Sequence, residues 1–156
     1  MIKFVSGDIL RATSQYIVTG VATGTQENPG TGLALKISSK WPDAQKHLRQ
    51  FARGNMFLGG DLFVVAPVKN RPGIIYVASR GETDDMTSSF LNTGLRKLER
   101  YAAKRGIESV SVPGMKGGLS SLDWETETKP LMLKYFEYGK TVFYVYEDSQ
   151  PAPEHQ

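Results

Sequence analysis

The chain has 156 residues, of which 40% are hydrophobic and 22% charged, with a formal net charge of +3; this fits one folded domain that buries roughly 70% of its unfolded surface. It has no cysteine, which excludes disulfide staples, thiolate metal sites and a cysteine nucleophile. No apolar run is long enough to span a bilayer and no signal peptide is read at the start, so a cytoplasmic monomer with no membrane partner is expected.

Strand-like and helical runs alternate along the chain. Ile2–Ser6 and Tyr16–Val21 read as strands. A helix is expected from near Gly32; Pro42 is expected to break it or to open a second segment, which runs to Arg53 and stops at Gly54. Asp61–Pro67 and Ile74–Ser79 are the next two strands. Leu91, Leu95, Leu98, Tyr101 and Ala102 recur at spacings of three and four, so a helix follows, capped by Asp84 or Asp85 and ended by Gly106. Glu108–Pro113 is the fifth strand, Trp124–Tyr138 the last helix and Thr141–Tyr146 the sixth strand. Near-continuous Val, Ile and Tyr runs suit strands covered on both faces. The alternation predicts a three-layer α/β/α sandwich with a mixed, largely parallel six-stranded sheet. Residues 1–147 are expected to form one domain and the polar, proline-bearing residues 148–156 a disordered tail.

Two glycine-rich turns stand out, each after a strand and before a helix: Asn28-Pro29-Gly30-Thr31-Gly32-Leu33-Ala34 and Pro113-Gly114-Met115-Lys116-Gly117-Gly118-Leu119-Ser120-Ser121-Leu122-Asp123-Trp124. Glycine lets backbone N–H groups approach a ligand closely, and a helix start adds unpaired donors and partial positive charge. Two such turns suit a pyrophosphate held from both sides. Neither is a Walker A loop or a complete Gly-x-Gly-x-x-Gly fingerprint. In parallel sheets, ligands sit outside the carboxyl ends of the strands, where these turns lie.

Asp8, just after the first strand, is either a turn cap or an acceptor for an exocyclic amine such as that of adenine. Asp123 is either a general acid/base or the cap of the helix that follows. Lys116 either neutralises phosphate or is a solvated loop lysine. The segment Lys36–Arg105 holds 13 Lys and Arg against 6 Asp and Glu; it is either a set of solvated helix faces or a basic rim for a polyanion, the basis of an alternative reading as a nucleic-acid-binding module. His47 and His155 are not convincing catalysts, and no metal-ligand cluster or cofactor motif is legible.

Gly7-Asp8-Ile9, Gly30-Thr31-Gly32-Leu33-Ala34 and Gly117-Gly118-Leu119-Ser120-Ser121-Leu122-Asp123-Trp124 together resemble the macro domain family, over about Ile2–Tyr146. The last segment is most similar to the branch of terminal ADP-ribose glycohydrolases, the DNA ADP-ribosylation antitoxin and the yeast-type ADP-ribose 1''-phosphate phosphatase. The resemblance implies binding of ADP-ribose or a derivative, with partners among ADP-ribosylated proteins or nucleic acids, and hydrolysis as a 1''-phosphatase or de-ADP-ribosylating enzyme. It implies that Asp8 binds the adenine amine and Ile9 lines the base site. Gly30, Thr31, Gly32 and Leu33 cradle one side of the diphosphate, and Met115, Lys116, Gly117, Gly118 and Leu119 the other. Thr23, Ser79, Arg80 and Ser120 line the distal ribose or phosphate, with Asp123 and Ser120 as catalytic candidates. The chain departs from the family in three places. Val18–Thr23 carries no Asn for the distal ribose, Ser79-Arg80 stand where the glycohydrolases place a nucleophilic lysine, and Ser120 stands where the terminal glycohydrolase has an Asp. A guanidinium stays protonated and cannot replace an amine nucleophile, so lysine-dependent glycohydrolysis is not expected.

Overall fold

The computed structural model describes residues 1–23, 32–55, 57–114 and 119–148. Six strands form one sheet: β1 (Ile2–Ser6), β2 (Tyr16–Ala22), β3 (Leu62–Val65), β4 (Gly73–Arg80), β5 (Ser109–Pro113) and β6 (Val142–Asp148). Their spatial order is β1-β6-β5-β2-β4-β3. Every neighbouring pair is parallel except β3–β4, which is antiparallel at the edge. The central strands explain the continuous apolar runs: Ile17–Val21 of β2 and Gly73–Ser79 of β4 are buried throughout. Successive side chains of such a strand enter opposite layers.

Val18, Ile75, Val77, Val110 and Val112 belong to one core cluster with residues of α3 (Asp84–Arg105) and α4 (Lys129–Phe136). Ile17, Val21, Ile74, Tyr76 and Ala78 belong to the other, with α1 (Gly32–Lys40), α2 (Pro42–Gly54) and the 3-10 turn Ile9–Arg11. The expected three-layer sandwich with a mixed, largely parallel sheet is the fold observed. Pro42 opens α2 as expected. Asp43 in its first turn pairs at 3.0 Å with the buried Arg71, which also donates to the carbonyls of Ala66 and Pro72. That contact holds α2 against the connection between β3 and β4.

Two helix boundaries differ from expectation. The cap of α3 is Thr83, whose Oγ1 accepts from Met86 N at 3.2 Å; Asp84 and Asp85 already lie in the first turn. Thr83 has the extended backbone that a cap requires, and the two acids next to it serve the helix dipole instead. The last helix opens as a π turn, Trp124–Thr128, and only then becomes α4. Thr128 N reaches back five residues to Asp123 O at 3.0 Å, so the chain is wider there than in an α-helix. Asp123 Oδ2 caps the turn by accepting from Thr126 N at 2.8 Å. The segment expected to be a disordered tail lies, from residue 149 on, outside the described residues.

Candidate functional site

The carboxyl ends of β1, β6, β5, β2 and β4 form one continuous edge, and the predicted residues are distributed along it. Asp8 stands beyond β1. Its Oδ1 accepts from Leu10 N at 3.0 Å and caps the 3-10 turn, while its Oδ2 has no partner among the described residues. Asp8 is half-exposed, so capping and ligand contact are compatible. The side chain of Ile9, by contrast, is 1% exposed and packs in the core beneath α1 and α2. It packs beneath this end of the edge and presents almost no surface there.

Tyr146, near the end of β6, is the neighbour of Asp8 that sequence reasoning missed. Burial pushes its hydroxyl above the ordinary tyrosine range; a hydrogen bond with Ser111 pulls the other way, and the Asp8 charge adds to the rise. Ser111 in turn bonds Ser14 at 2.7 Å. A cavity of about 240 Å³ lies here, lined by Thr13, Ser14, Ser111, Tyr144 and Tyr146 among others. An aromatic in a strand-like run reads as core, so only its pairing across from Pro113 at the sheet edge could have signalled a role.

The second glycine turn leaves β5, midway along the edge. Gly114 N donates to Tyr146 O at 2.9 Å, and a Cβ on Gly114 would lie 2.5 Å from that same oxygen. Only glycine fits this approach to β6. Met115, Lys116, Gly117 and Gly118 lie outside the described residues. The chain re-enters at Leu119, whose side chain is fully buried in the core and whose carbonyl accepts from the buried Ser79 hydroxyl. Ser79 therefore ties the end of β4 to the foot of the turn. Ser120 Oγ accepts from Leu122 N at 2.9 Å. Asp123 is solvent-exposed, and two bonds from Thr126, side chain and backbone, hold its carboxyl below the usual range. A carboxylate that stays ionised has no proton to give near neutral pH, so its available chemistry is that of a base or an acceptor.

The first glycine turn connects β2 to α1. Thr23 is half-exposed at the end of β2; Gly30 and Thr31 fall outside the described residues. Gly32 has φ +56°, a left-handed conformation that favours glycine, and opens α1. Leu33 packs into the core below. Arg80 closes β4, and Arg80 and Ala22 are partners in the β2–β4 register. One guanidinium nitrogen donates to Gly20 O at 3.4 Å, and Nε is buried with no hydrogen-bond partner among the described residues. Burial lowers its pKa from the ordinary arginine value.

Two further cavities lined by described residues, of about 640 and 660 Å³, open at the amino ends of the strands, away from every predicted site residue. Among the described residues no three His, Asp or Glu side chains gather as a metal site, and no helix is long and apolar enough to cross a membrane.

This sheet order and its flanking helices are those of the macrodomain fold, so the resemblance read from the glycine turns is borne out in the architecture. No family model matches the chain. The macrodomain of Thermus aquaticus DarG superposes with a TM-score of 0.80 at 22% identity, covering 94% of this chain and 98% of that one. Thermosipho africanus DarTG, solved in complex with ADP-ribose, superposes with a TM-score of 0.74 at 19% identity, covering 99% of this chain and 44% of that one. In sequence, the chain is 28% identical over 129 residues to a protein named DNA ADP-ribosyl glycohydrolase from Mycobacterium tuberculosis. The match covers 80% of this chain and 36% of that protein, so the chain spans little more than a third of the curated relative's length.

Proposed function

We propose that this chain binds ADP-ribose, free or attached to a target, along the carboxyl edge of its sheet. The observation that carries the reading is the arrangement of Asp8 and Arg80 toward opposite ends of that edge, with β5 and β2, the strands that lead into the two glycine turns, between them. β1 and β4 are four steps apart in the strand order, which is about 19 Å at the usual strand spacing of about 4.8 Å. That span suits a base at one end and a second sugar at the other. Asp8 Oδ2 accepts from the exocyclic amine of adenine, and the Tyr146 ring beside it offers a face for the base. Backbone donors of the two turns take the diphosphate over β5 and β2. Hydrogen bonds to charged acceptors contribute roughly 1.5–3 kcal/mol each, enough for a few of them to support micromolar affinity.

The ADP-ribose complex of the T. africanus protein and the name of the mycobacterial relative support this reading. The name of the mycobacterial relative motivates a further step in the reading, removal of ADP-ribose from DNA. Arg80 supplies no amine nucleophile, so a hydrolytic step here activates water, with Asp123 as the candidate base. The test is calorimetric titration with ADP-ribose, with AMP and ADP as controls, for the wild type and Asp8→Ala. The expected result is micromolar ADP-ribose binding weakened at least tenfold by Asp8→Ala. Equal affinity for ADP-ribose and ADP, or indifference to Asp8→Ala, refutes it. Release of free ADP-ribose from an ADP-ribosylated oligonucleotide, abolished by Asp123→Ala, is the corresponding test of turnover.

A further inference from the structure

The two helix layers are charged differently. α1 and α2, on one face of the sheet, hold Lys36, Lys40, Lys46, Arg49 and Arg53 against one acid, Asp43. On the other face α3 has five Lys and Arg and α4 two, against three acids in α3 and two in the π turn. A solvated helix commonly intersperses acids with its bases at spacings of three and four, as the α3 layer does. Asp43 does not offset the excess on α1 and α2, because the buried Arg71 engages it at 3.0 Å. None of the five cations is in an ion pair among the described residues.

Lys46, Arg49 and Arg53 recur at spacings of three and four, so they share one stripe of α2. The buried Ala44 and Leu48 lie across the helix from Lys46 and Arg53, which are both exposed. Arg49 is half-buried, and its guanidinium is fixed by donating to Gln45 Oε1 at 2.6 Å. From Lys46 to Arg53 the helix rises about 10 Å. Its direction follows from three contacts. Asp43 meets Arg71, which precedes the start of β4. Phe51 stacks at 4.5 Å on Phe63, whose partner in β4 is Tyr76. Beyond α2, Gly60 N donates to Ala78 O, near the end of β4, at 2.8 Å. The stripe therefore climbs from the amino edge of the sheet toward the carboxyl edge, Lys46 first and Arg53 last.

A row of cations without acids suits a partner with regularly repeated negative charge. An anionic membrane surface calls for apolar side chains beside the cations, whereas His47 and Gln50 are the exposed neighbours of this stripe. A phosphodiester backbone carries one charge per nucleotide, on oxygens that match the guanidinium fork. No Phe, Tyr or Trp stands among the exposed residues of α2 to stack a base, so the contact is to the backbone and independent of sequence. We propose that the outward stripe of α2 is a nucleic-acid track, on which Lys46, Arg49 and Arg53 hold the backbone of a single strand and lead it to the carboxyl edge. Strand binding stands on the charge of this layer alone; only delivery of the strand to a ligand cleft rests on the ADP-ribose reading.

The experiment is fluorescence anisotropy titration of the full chain with short labelled, unmodified DNA single strands of two unrelated sequences, over a series of salt concentrations. The wild type is compared with the double variant Lys46→Gln/Arg53→Gln. Arg100→Gln/Lys104→Gln is the control, since both residues are exposed on α3 and the charge lost is the same. Polyglutamate is the competing polyanion, and calorimetry with ADP-ribose is the second readout. With three phosphate contacts, the logarithm of the wild-type affinity is expected to fall against the logarithm of salt with a slope of about −2. The α2 variant is expected to bind at least about tenfold more weakly at low salt, with a slope of about −0.7, and the α3 control to stay within about threefold of the wild type. Both sequences bind alike.

The proposal is overturned by wild-type binding that is absent or indifferent to salt, by an equal loss in the α3 control, by strong dependence on sequence, or by polyglutamate competing as well as the strand. A loss of ADP-ribose affinity in the same proportion as the loss of strand affinity also overturns it, since the strand is then held by the cleft and not by α2. Salt-dependent strand binding through α2 without ADP-ribose binding supports this inference and sinks the reading of the cleft. ADP-ribose binding that is sensitive to Asp8→Ala, with no strand binding, sinks only this inference. Thermal melts establish that the variants are folded, and Lys46→Gln alone carries the test if the double variant is not.

Discussion

Ser79→Ala and Thr19→Val make a matched pair, because both delete one buried hydroxyl from adjacent interior strands and, among the described residues, only one of those hydroxyls has a partner. Ser79 is fully buried on β4 and donates to Leu119 O, forty residues away. Removing it leaves a carbonyl in the core unsatisfied, a cost of about 1–3 kcal/mol. For a domain of this size, each 1 kcal/mol moves Tm by about 2–4 °C, so a mid-range loss of about 2 kcal/mol lowers Tm by about 4–8 °C. Thr19 is 1% exposed on β2, and its Oγ1 has no partner among the described residues. Valine keeps its shape and removes the unpaid polar atom, so Thr19→Val is expected to hold Tm or raise it by about 2–4 °C. Thermal melting followed by circular dichroism measures both, and urea titration checks that the slope is unchanged. The reasoning is refuted if Ser79→Ala melts with the wild type, or if Thr19→Val loses as much as Ser79→Ala. The loss at Ser79 also has a functional counterpart, since the foot of the second glycine turn is no longer tied to β4. ADP-ribose affinity is expected to fall in Ser79→Ala and to be kept in Thr19→Val.

Thr83→Ala removes the cap of α3 and is expected to cost about 1 kcal/mol, read as a Tm drop of about 2–4 °C; an equal effect from Asp84→Ala would show that the cap is misassigned. Asp123 has a pKa held down in the folded state by its bonds from Thr126. A depressed carboxylate contributes stability above its unfolded pKa and loses it as pH falls through the folded one. The stability of the wild type over Asp123→Ala is therefore expected to be constant near neutral pH and to fade below about 3.9; a difference that persists unchanged at still lower pH would falsify the cap as its source.

The fold was legible where local and global preferences agree. Ile17–Val21 and Gly73–Ser79 are apolar on both faces because both faces are covered, and Pro42 and Gly106 mark boundaries by backbone restriction alone. The cap of α3 was ambiguous because Thr83, Asp84 and Asp85 are all competent caps, and only the backbone angles decide among them. The π turn depends on Asp123 O accepting from a donor five residues on, a register that carries no periodic signal. Along the carboxyl edge, Asp8 was legible as a turn cap from its place after a strand. The role of Ser79 was not, since its partner is distant in sequence. The same holds for Tyr146, whose neighbour Asp8 is far from it in the chain. The orphaned Nε of Arg80 could not be inferred from sequence, where an arginine after a strand looks solvated.

β1 has one neighbour in the sheet, β6, with Ile2 paired to Phe143. The first strand to be synthesised therefore has nothing to pair with until the last one exists. At 5–20 residues per second, the interval between the end of β1 and the start of β6 is between about 7 and about 27 s. Closing a loop of that length costs about 4 kcal/mol beyond the constant term. β2, β3 and β4 can assemble in the meantime, but β1 remains an unpaired strand edge. Asp8 and Tyr146 come together only in this final pairing, so the β1 end of the carboxyl edge is completed last and a nascent chain carries the Arg80 end first.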